Sequence, residues 1–372
     1  MGRGIVEVLR RADDMELVGV ADVDSNALRG TRPYAPKDTV FTTDSFELLK
    51  QKPDVLVEAT GAICPAAFLV IRALEEKVNV VLMNSEVDQT FGRLLARKAE
   101  ANGVILTSDA GDQHGVLIRI IEEVQGMGFE VVMAGNNKGF LDRHANPESV
   151  REEAAKRRLS LRQCTAYTDG TKLAIEMAIL ANAVGLSILQ TGMIGPRVQH
   201  VEDALRVFDL TRARRLGGVV DYVLGAKPGG SVFVVGCSDD QEERFYMDYY
   251  KMGKGPYYLF MRPYHLCHFE TPLAIRRIMR CHKPVLVQNR RVLEVGCRAK
   301  IRLEAGTSLE GIGGRHLYGV LGKAGRLPIG LAEGTILLSP KEKDVEITWE
   351  DVRFPDGDPC LALWREQSDL ET

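Results

Sequence analysis

Short β-branched runs alternate with helical stretches through residues 1 to about 110, and few architectures accommodate that alternation. The runs at 17–21, 55–59, 80–83 and 104–107 read as strands. The stretches 46–50, 66–76 and 91–102 read as helices, the last closed by Gly103. Strands separated by helices pack as a doubly wound parallel sheet, so the expected class is α/β. From 111 to about 285 the pattern mixes strands such as 130–134 with a charged helix at 148–158 and a long helix at 171–184. The charge alternation of 148–158 reads as a solvated face. Beyond Lys283-Pro284, glycine-rich turns separate short strands at 292–300, 306–314, 318–322, 335–338 and 345–348. Three domains are therefore expected: 1–110, an α+β domain over 111–285, and a small β-rich domain over 286–372.

Charge and cysteine usage exclude several classes. The balance of 48 Lys+Arg against 51 Asp+Glu is too near neutral to hold a polyanion by counterion release, so nucleic acid is not an expected partner. No apolar run approaches the roughly 20 residues of a membrane helix, and the opening residues lack the apolar core of a signal peptide. A cytoplasmic protein is expected. The seven cysteines are scattered with no C-x-x-C pair, which argues for free thiols in a reducing compartment.

A dinucleotide-binding (Rossmann-type) unit normally opens with a buried strand and G-x-G-x-x-G, whose glycines let the backbone approach a pyrophosphate. Here Met1-Gly2-Arg3-Gly4 runs at once into a helical stretch at 5–12, so that strand and the first two glycines are missing. Two explanations stay open: Met1 is internal to a longer natural chain, or the domain is degenerate. A central strand is flanked on both edges, so its loss leaves unpaired backbone groups on two neighbours. Asp22 still stands at the tip of the next strand, 20 residues after Gly2, where a carboxylate meets the adenosine ribose. It favours NAD, while Arg29 and Arg32 keep NADP open; the competing reading makes Asp22 a helix N-cap only. Thr60, Gly61, Asn84 and Glu86 follow strand ends, where ligands bind in such sheets, and are the candidates for the nicotinamide side.

Three further constellations could carry chemistry. Gly111-Asp112-Gln113-His114-Gly115 directly follows the last strand of the first domain. In Asp169-Gly170-Thr171-Lys172 and the helix after it, Lys172 and Glu176 lie four residues apart on one face. A lysine there can exchange a proton with a hydroxyl or carbonyl oxygen when burial tunes it; the competing reading is a surface ion pair. In the run from Gly255 to Glu270, an extended chain would align Arg262, His268 and Glu270 as one anion- and proton-handling wall. His265 and His268 could instead form half of a metal site, or one of them could be a histidine held by a carbonyl.

Taken together, Met1-Gly2-Arg3-Gly4, Gly111-Asp112-Gln113, Gly135-Asn136-Asn137-Lys138-Gly139, Asp169-Gly170-Thr171-Lys172 with Glu176, and Arg262-Pro263-Tyr264-His265-Leu266 resemble a known family. It is the homoserine-dehydrogenase-like group with a C-terminal SAF domain, which includes the DXR-like 1-deoxyxylulose 5-phosphate reductoisomerases. Leu327-Pro328-Ile329-Gly330-Leu331-Ala332 and Ile347-Thr348-Trp349-Glu350-Asp351-Val352 look like the SAF part. The resemblance implies an enzyme using NADP or NAD on a small polar, hydroxy or carbonyl substrate, phosphorylated or not. Lys172 would be the proton donor or acceptor. Glu176 and Asp169 would orient it or bind a divalent cation, and Gly2, Arg3 and Asp22 would lie on the cofactor. Lys138, Arg262 and His265 would hold anionic substrate groups, and the enzyme would be a homodimer. A homoserine dehydrogenase has a Lys near the position of Glu86, which argues against homoserine itself. The alternative is a non-catalytic binding or regulatory protein on the same scaffold.

Overall fold

The α/β alternation read in the first 110 residues is realised in the computed structural model, which describes residues 1–369. Contacts divide the chain into two units. Unit one takes residues 1–115, 266–289 and the C-terminal stretch from 363; unit two takes 116–265 and 290–362.

Unit one begins α1 (Gly2–Leu9), β1 (Gly19–Ala21), α2 (Ser25–Thr31), β2 (Val40–Thr42), β3 (Val55–Glu58), α3 (Cys64–Glu75), β4 (Asn79–Leu82), α4 (Ser85–Asn102) and β5 (Leu106–Ser108). Every strand pair is parallel. The helix ends follow from their sequence. The Asn84 side chain accepts the Val87 N–H at 3.2 Å to start α4, and Gly103, at φ +69°, stops it. The expected helix at 46–50 is instead a 3-10 turn, Ser45–Gln51, held between the Asp44 cap and Lys52 in the left-handed region. The sheet lies in two pieces, β1-β2 and β3-β4-β5. Among the described residues no strand pairs with the second edge of β1 or of β3. All of β1 and alternate residues of β3 are accordingly half-buried, while β4 and β5 are almost wholly buried.

Two later segments complete this unit. The carboxamide of Gln367 bridges the Leu94 N–H (2.9 Å) and the Thr90 carbonyl (3.0 Å), partners one turn apart on α4. The Gly111 carbonyl accepts the Cys267 N–H at 3.0 Å, and a Cβ on Gly111 would stand 1.9 Å from the Cys267 carbonyl oxygen. Backbone on both sides leaves nothing flexible to move. Gly111→Ala is therefore expected to destabilise unit one by about 2–4 kcal/mol. The chain has two tryptophans, and Trp364 lies in unit one. Its fluorescence during urea unfolding in a Trp349→Phe background would measure the loss; an unchanged midpoint would contradict the close approach.

Unit two holds α5 (Gln113–Gly126, entered from unit one), β6 (Glu130–Lys138), α6 (Arg151–Arg157), α7 (Leu161–Thr168), α8 (Thr171–Val184), β7 (Val219–Leu224), β8 (Val232–Cys237), β9 (Tyr257–Arg262), β10 (Leu293–Ala299) and β11 (Leu317–Lys323). Its main sheet runs β7-β6-β8-β9, with only β6 and β7 parallel. Phe233, Val235 and Cys237 on one face of β8 join a core with Leu210, Ala213, Val219 and Val223. Helix α8 sits between Gly170 (φ +85°) and Gly185 (φ +83°), and twelve of its residues are buried. It is fastened to the strands that follow. The Asn182 side chain accepts the Val292 and Leu293 N–H groups and donates to the Leu293 carbonyl.

Two expectations for the chain after 255 are corrected. Strand β9 ends at Arg262 because Pro263 has no N–H to continue a ladder, and Cys267–Phe269 is a 3-10 turn. The wall joining Arg262, His268 and Glu270 along one extended strand therefore does not exist. Residues 306–314 form turns rather than a strand, joined to the segment 334–337 by an isolated bridge from Ser308 to Ile336 and by backbone hydrogen bonds such as that from the Leu309 N–H to the Thr335 carbonyl. Gly306 and Gly313, both at positive φ, break the extended path.

Candidate functional site

The predicted cofactor residues all fall in unit one. Thr60, Gly61 and Asn84 are brought together at the carboxyl ends of β3 and β4. The Glu58 carboxylate accepts the Thr60 N–H at 2.8 Å, the Thr60 hydroxyl accepts the Ala62 N–H at 3.1 Å, and Asn84 donates to the Ala62 carbonyl at 2.5 Å. Gly61 takes φ +78°, which the reversal requires. Glu86 lies in the first turn of α4 and adds negative charge beside Glu58. Burial pushes the Glu58 carboxyl up, against hydrogen bonds from Thr60 and Asn84 that hold it down.

Asp22 is exposed just past β1 and accepts the Asp24 N–H at 2.9 Å. The helix cap there is Asp24, which accepts the Asn26 N–H at 2.8 Å, so Asp22 is not the N-cap. Arg29 donates to the Asn26 side chain, and Arg32 stacks over the Phe41 ring at 4.5 Å. Gly2 and Arg3 begin α1, exposed; Arg3 faces Tyr34 and pairs loosely with Glu7 at 3.9 Å.

Sequence reasoning passed over Asp109, which follows β5 and is fully buried. One of its oxygens accepts the Gly111 N–H at 2.7 Å. Burial, helped by the Asp112 and Glu270 charges, lifts its carboxyl from 3.8 to about 7, against the Gly111 and Thr271 hydrogen bonds. The sign follows from linkage. Between the unfolded value of 3.8 and about 7 the folded chain keeps a proton that the unfolded chain has released, so stability falls as pH rises through that window. Asp109→Asn should flatten this slope and stabilise unit one on the order of 2–4 kcal/mol at pH 8. Urea unfolding at pH 5 and pH 8, read through Trp364, checks it; equal slopes in both proteins would refute it.

The predicted catalytic and substrate residues fall in unit two. Lys172 is 6% and Glu176 2% exposed, one turn apart on α8, so they are not a surface ion pair. Asp169 precedes the helix. One oxygen accepts the Thr171 N–H at 2.8 Å, and the other meets the Lys300 ammonium at 2.8 Å, with both groups sealed from solvent. Burial pushes the Asp169 carboxyl up, with Lys300 opposing.

Lys138 and Arg262 end β6 and β9, two strands that run the same way on either side of β8. In that register Asn136, Val232 and Arg262 are cross-strand partners, which places Asn136, Lys138 and Arg262 on one face at one end of the sheet. Arg262 lies over the Tyr264 ring at 4.4 Å. The Nδ1 of His265 meets the Gly230 carbonyl at 2.9 Å, so His265 is the carbonyl-held histidine of the pair. Asp221 is buried on β7 and lifted to about 6 by burial, against the Gly195, Ile194 and Tyr222 N–H groups that it accepts. Nothing in the sequence marks it off from other strand aspartates. Among the described residues no three His, Cys, Asp or Glu side chains gather as metal ligands.

Comparison with known proteins connects these geometries to families. Residues 1–108 match the NAD-binding domain of homoserine dehydrogenase. Residues 111–271 match the catalytic domain of oxidoreductase DRL. The two matched stretches together span most of residues 1–271, one an NAD-binding domain and the other an oxidoreductase catalytic domain. A homoserine dehydrogenase of Synechocystis sp. is 25% identical over 236 residues, 59% of this chain and 53% of that protein. The chain therefore spans about half the length of that curated relative. Among solved structures, a homoserine dehydrogenase from Thiobacillus denitrificans aligns over 82% of this chain and 80% of its own, with a TM-score of 0.47 and 17% identity. A probable dehydrogenase from Thermotoga maritima aligns over 76% and 86%, with a TM-score of 0.45 and 13% identity. A hyperthermophilic archaeal homoserine dehydrogenase in complex with NADPH gives 0.44 and 14% over 74% and 93%. No described helix of the chain is long and apolar enough to cross a membrane.

Proposed function

We propose that this oxidoreductase interconverts a small polar alcohol and its carbonyl form with NAD as cofactor, the substrate carrying an anionic group. The observation that carries the reading is the burial of Lys172 and Glu176 on α8, one turn apart. Placing an ammonium and a carboxylate inside a helix core is costly, and such costs concentrate where proton transfer is needed. The Lys172 Nζ would pass a proton to or from the reacting oxygen, Glu176 would orient it, and Asp169 would fix the turn before it. Lys138 and Arg262, on one face of the sheet, would bind the anionic group, with His265 beside them.

The residues of unit one fit a dinucleotide. Asp22 presents an exposed carboxylate past β1, and Thr60, Gly61 and Asn84 form a tight reversal at the ends of β3 and β4. When bound, the nicotinamide supplies or accepts the hydride. Asp22 supports NAD over NADP, since a carboxylate repels a 2′-phosphate and Arg29 and Arg32 are engaged by Asn26 and Phe41. A divalent cation does not fit as well: Asp169 already has Lys300 as its counter-charge, and no ligand trio is grouped among the described residues.

The three-part division at 110 and 285, the SAF-like character of residues 286–372 and a homodimer complete the proposal. The outer edge of β9, which no described strand pairs, supports a self-association surface. A panel of phosphorylated, carboxylated and uncharged hydroxy and carbonyl compounds, assayed by NADH formation or consumption, tests the substrate class. Turnover should favour the anionic members; a preference for uncharged ones would overturn the assignment of Lys138 and Arg262.

A further inference from the structure

Lys300 is separated from Asp169 by more than a hundred residues, yet their side chains meet at 2.8 Å, 1% and 0% exposed. The ammonium also donates to the Gly314 carbonyl at 2.8 Å. The carboxylate meanwhile accepts the Thr171 N–H, the first N–H of α8, and the Thr171 hydroxyl accepts the Gly319 N–H of β11 at 2.8 Å. A Cβ on Gly319 would meet Thr171 at 2.9 Å, so the strand reaches the helix only as glycine. The start of α8 is thus fixed from two directions by the chain that follows residue 290, immediately before Lys172.

We infer that Lys300 is a positioning residue: its buried ion pair with Asp169 holds the first turn of α8, and through it the side chain of Lys172, in the working orientation. The inference rests on the proposed role of Lys172. A buried ion pair gives little net stability over an apolar pair, but losing one partner leaves an uncompensated charge that the local structure must relieve. The nearest relief is for the carboxylate to leave Thr171 and turn toward water, which frays α8 at its start. Neutralising both members removes that drive.

Hydrogen–deuterium exchange of the N–H groups of residues 171–175, with steady-state turnover of the best panel substrate and NADH, tests this in the full chain. Lys300→Met should speed exchange there at least about tenfold and lower kcat about 10- to 100-fold, with the KM for NADH within about twofold. Lys300→Met with Asp169→Asn, which folds without a lone buried charge, should bring exchange at 171–175 back to within about threefold of the parent. A lower melting temperature with unchanged exchange at 171–175 and unchanged kcat would overturn the inference and leave the pair a fold-stabilising contact alone. So would a double variant whose N–H exchange at 171–175 is as fast as that of the single one. If Lys172→Met keeps full kcat while Lys300→Met still speeds exchange, the catalytic reading of Lys172 fails and the control of the helix start by Lys300 stands.

Discussion

Replacing Lys172 by Met lowers kcat by about 10²- to 10⁴-fold and leaves the KM for NADH within about twofold, the pattern of losing a group that acts in the transition state. Methionine fills similar volume without a charge, and the site is already dry at 6% exposure, so the fold should survive the change. Glu176→Gln should cost less, since a carboxamide still occupies the position one turn away. Steady-state kinetics with matched circular dichroism would measure both. A Lys172→Met enzyme within threefold of the parent kcat would remove proton transfer from this helix.

The second large effect concerns the substrate. Arg262→Met and Lys138→Met should each raise KM for anionic substrates about 10- to 100-fold, because a charge-assisted hydrogen bond contributes roughly 1.5–3 kcal/mol. The two residues share a sheet face in register and would hold the same anionic group, so the double variant should lose less than the product of the single losses. For uncharged members of the panel KM should barely move. Equal effects on charged and uncharged compounds would mean that the two cations hold the sheet end together and do not read the substrate.

The parts of this account legible in sequence share one property: the signal is local. Helix α8 runs between the two glycines that bound it in the sequence, and four of the five short parallel strands of unit one follow their β-branched runs, β2 being the one not expected. The burial of Lys172 was also written there. A helix reading Thr-Lys-Leu-Ala-Ile-Glu-Met-Ala-Ile-Leu-Ala is apolar on every face, so its two charges have no solvated side to occupy. Reading only the i,i+4 pair leaves the surface alternative open. The extended wall after 262 fails because Pro263 stops β9, a breaker visible in the sequence and outweighed there by the alternation of charged residues. Lys300 could not be found that way. Its partner lies in another element far along the chain, and a lone lysine after a strand looks like any surface lysine.

The same separation explains the cofactor end. The sheet of unit one is divided into β1-β2 and β3-β4-β5, with β1 and alternate residues of β3 half-buried. Asp22, Thr60, Gly61 and Asn84 follow the ends of β1, β3 and β4.

Titration with NADH and with NADPH, followed by the rise in nicotinamide fluorescence, tests most directly whether these residues hold a dinucleotide. Saturable binding is expected for NADH, tighter than for NADPH, with Asp22→Ala narrowing the difference. Absence of saturable binding of either dinucleotide to folded protein would contradict the account and leave a non-catalytic binding protein on an oxidoreductase scaffold.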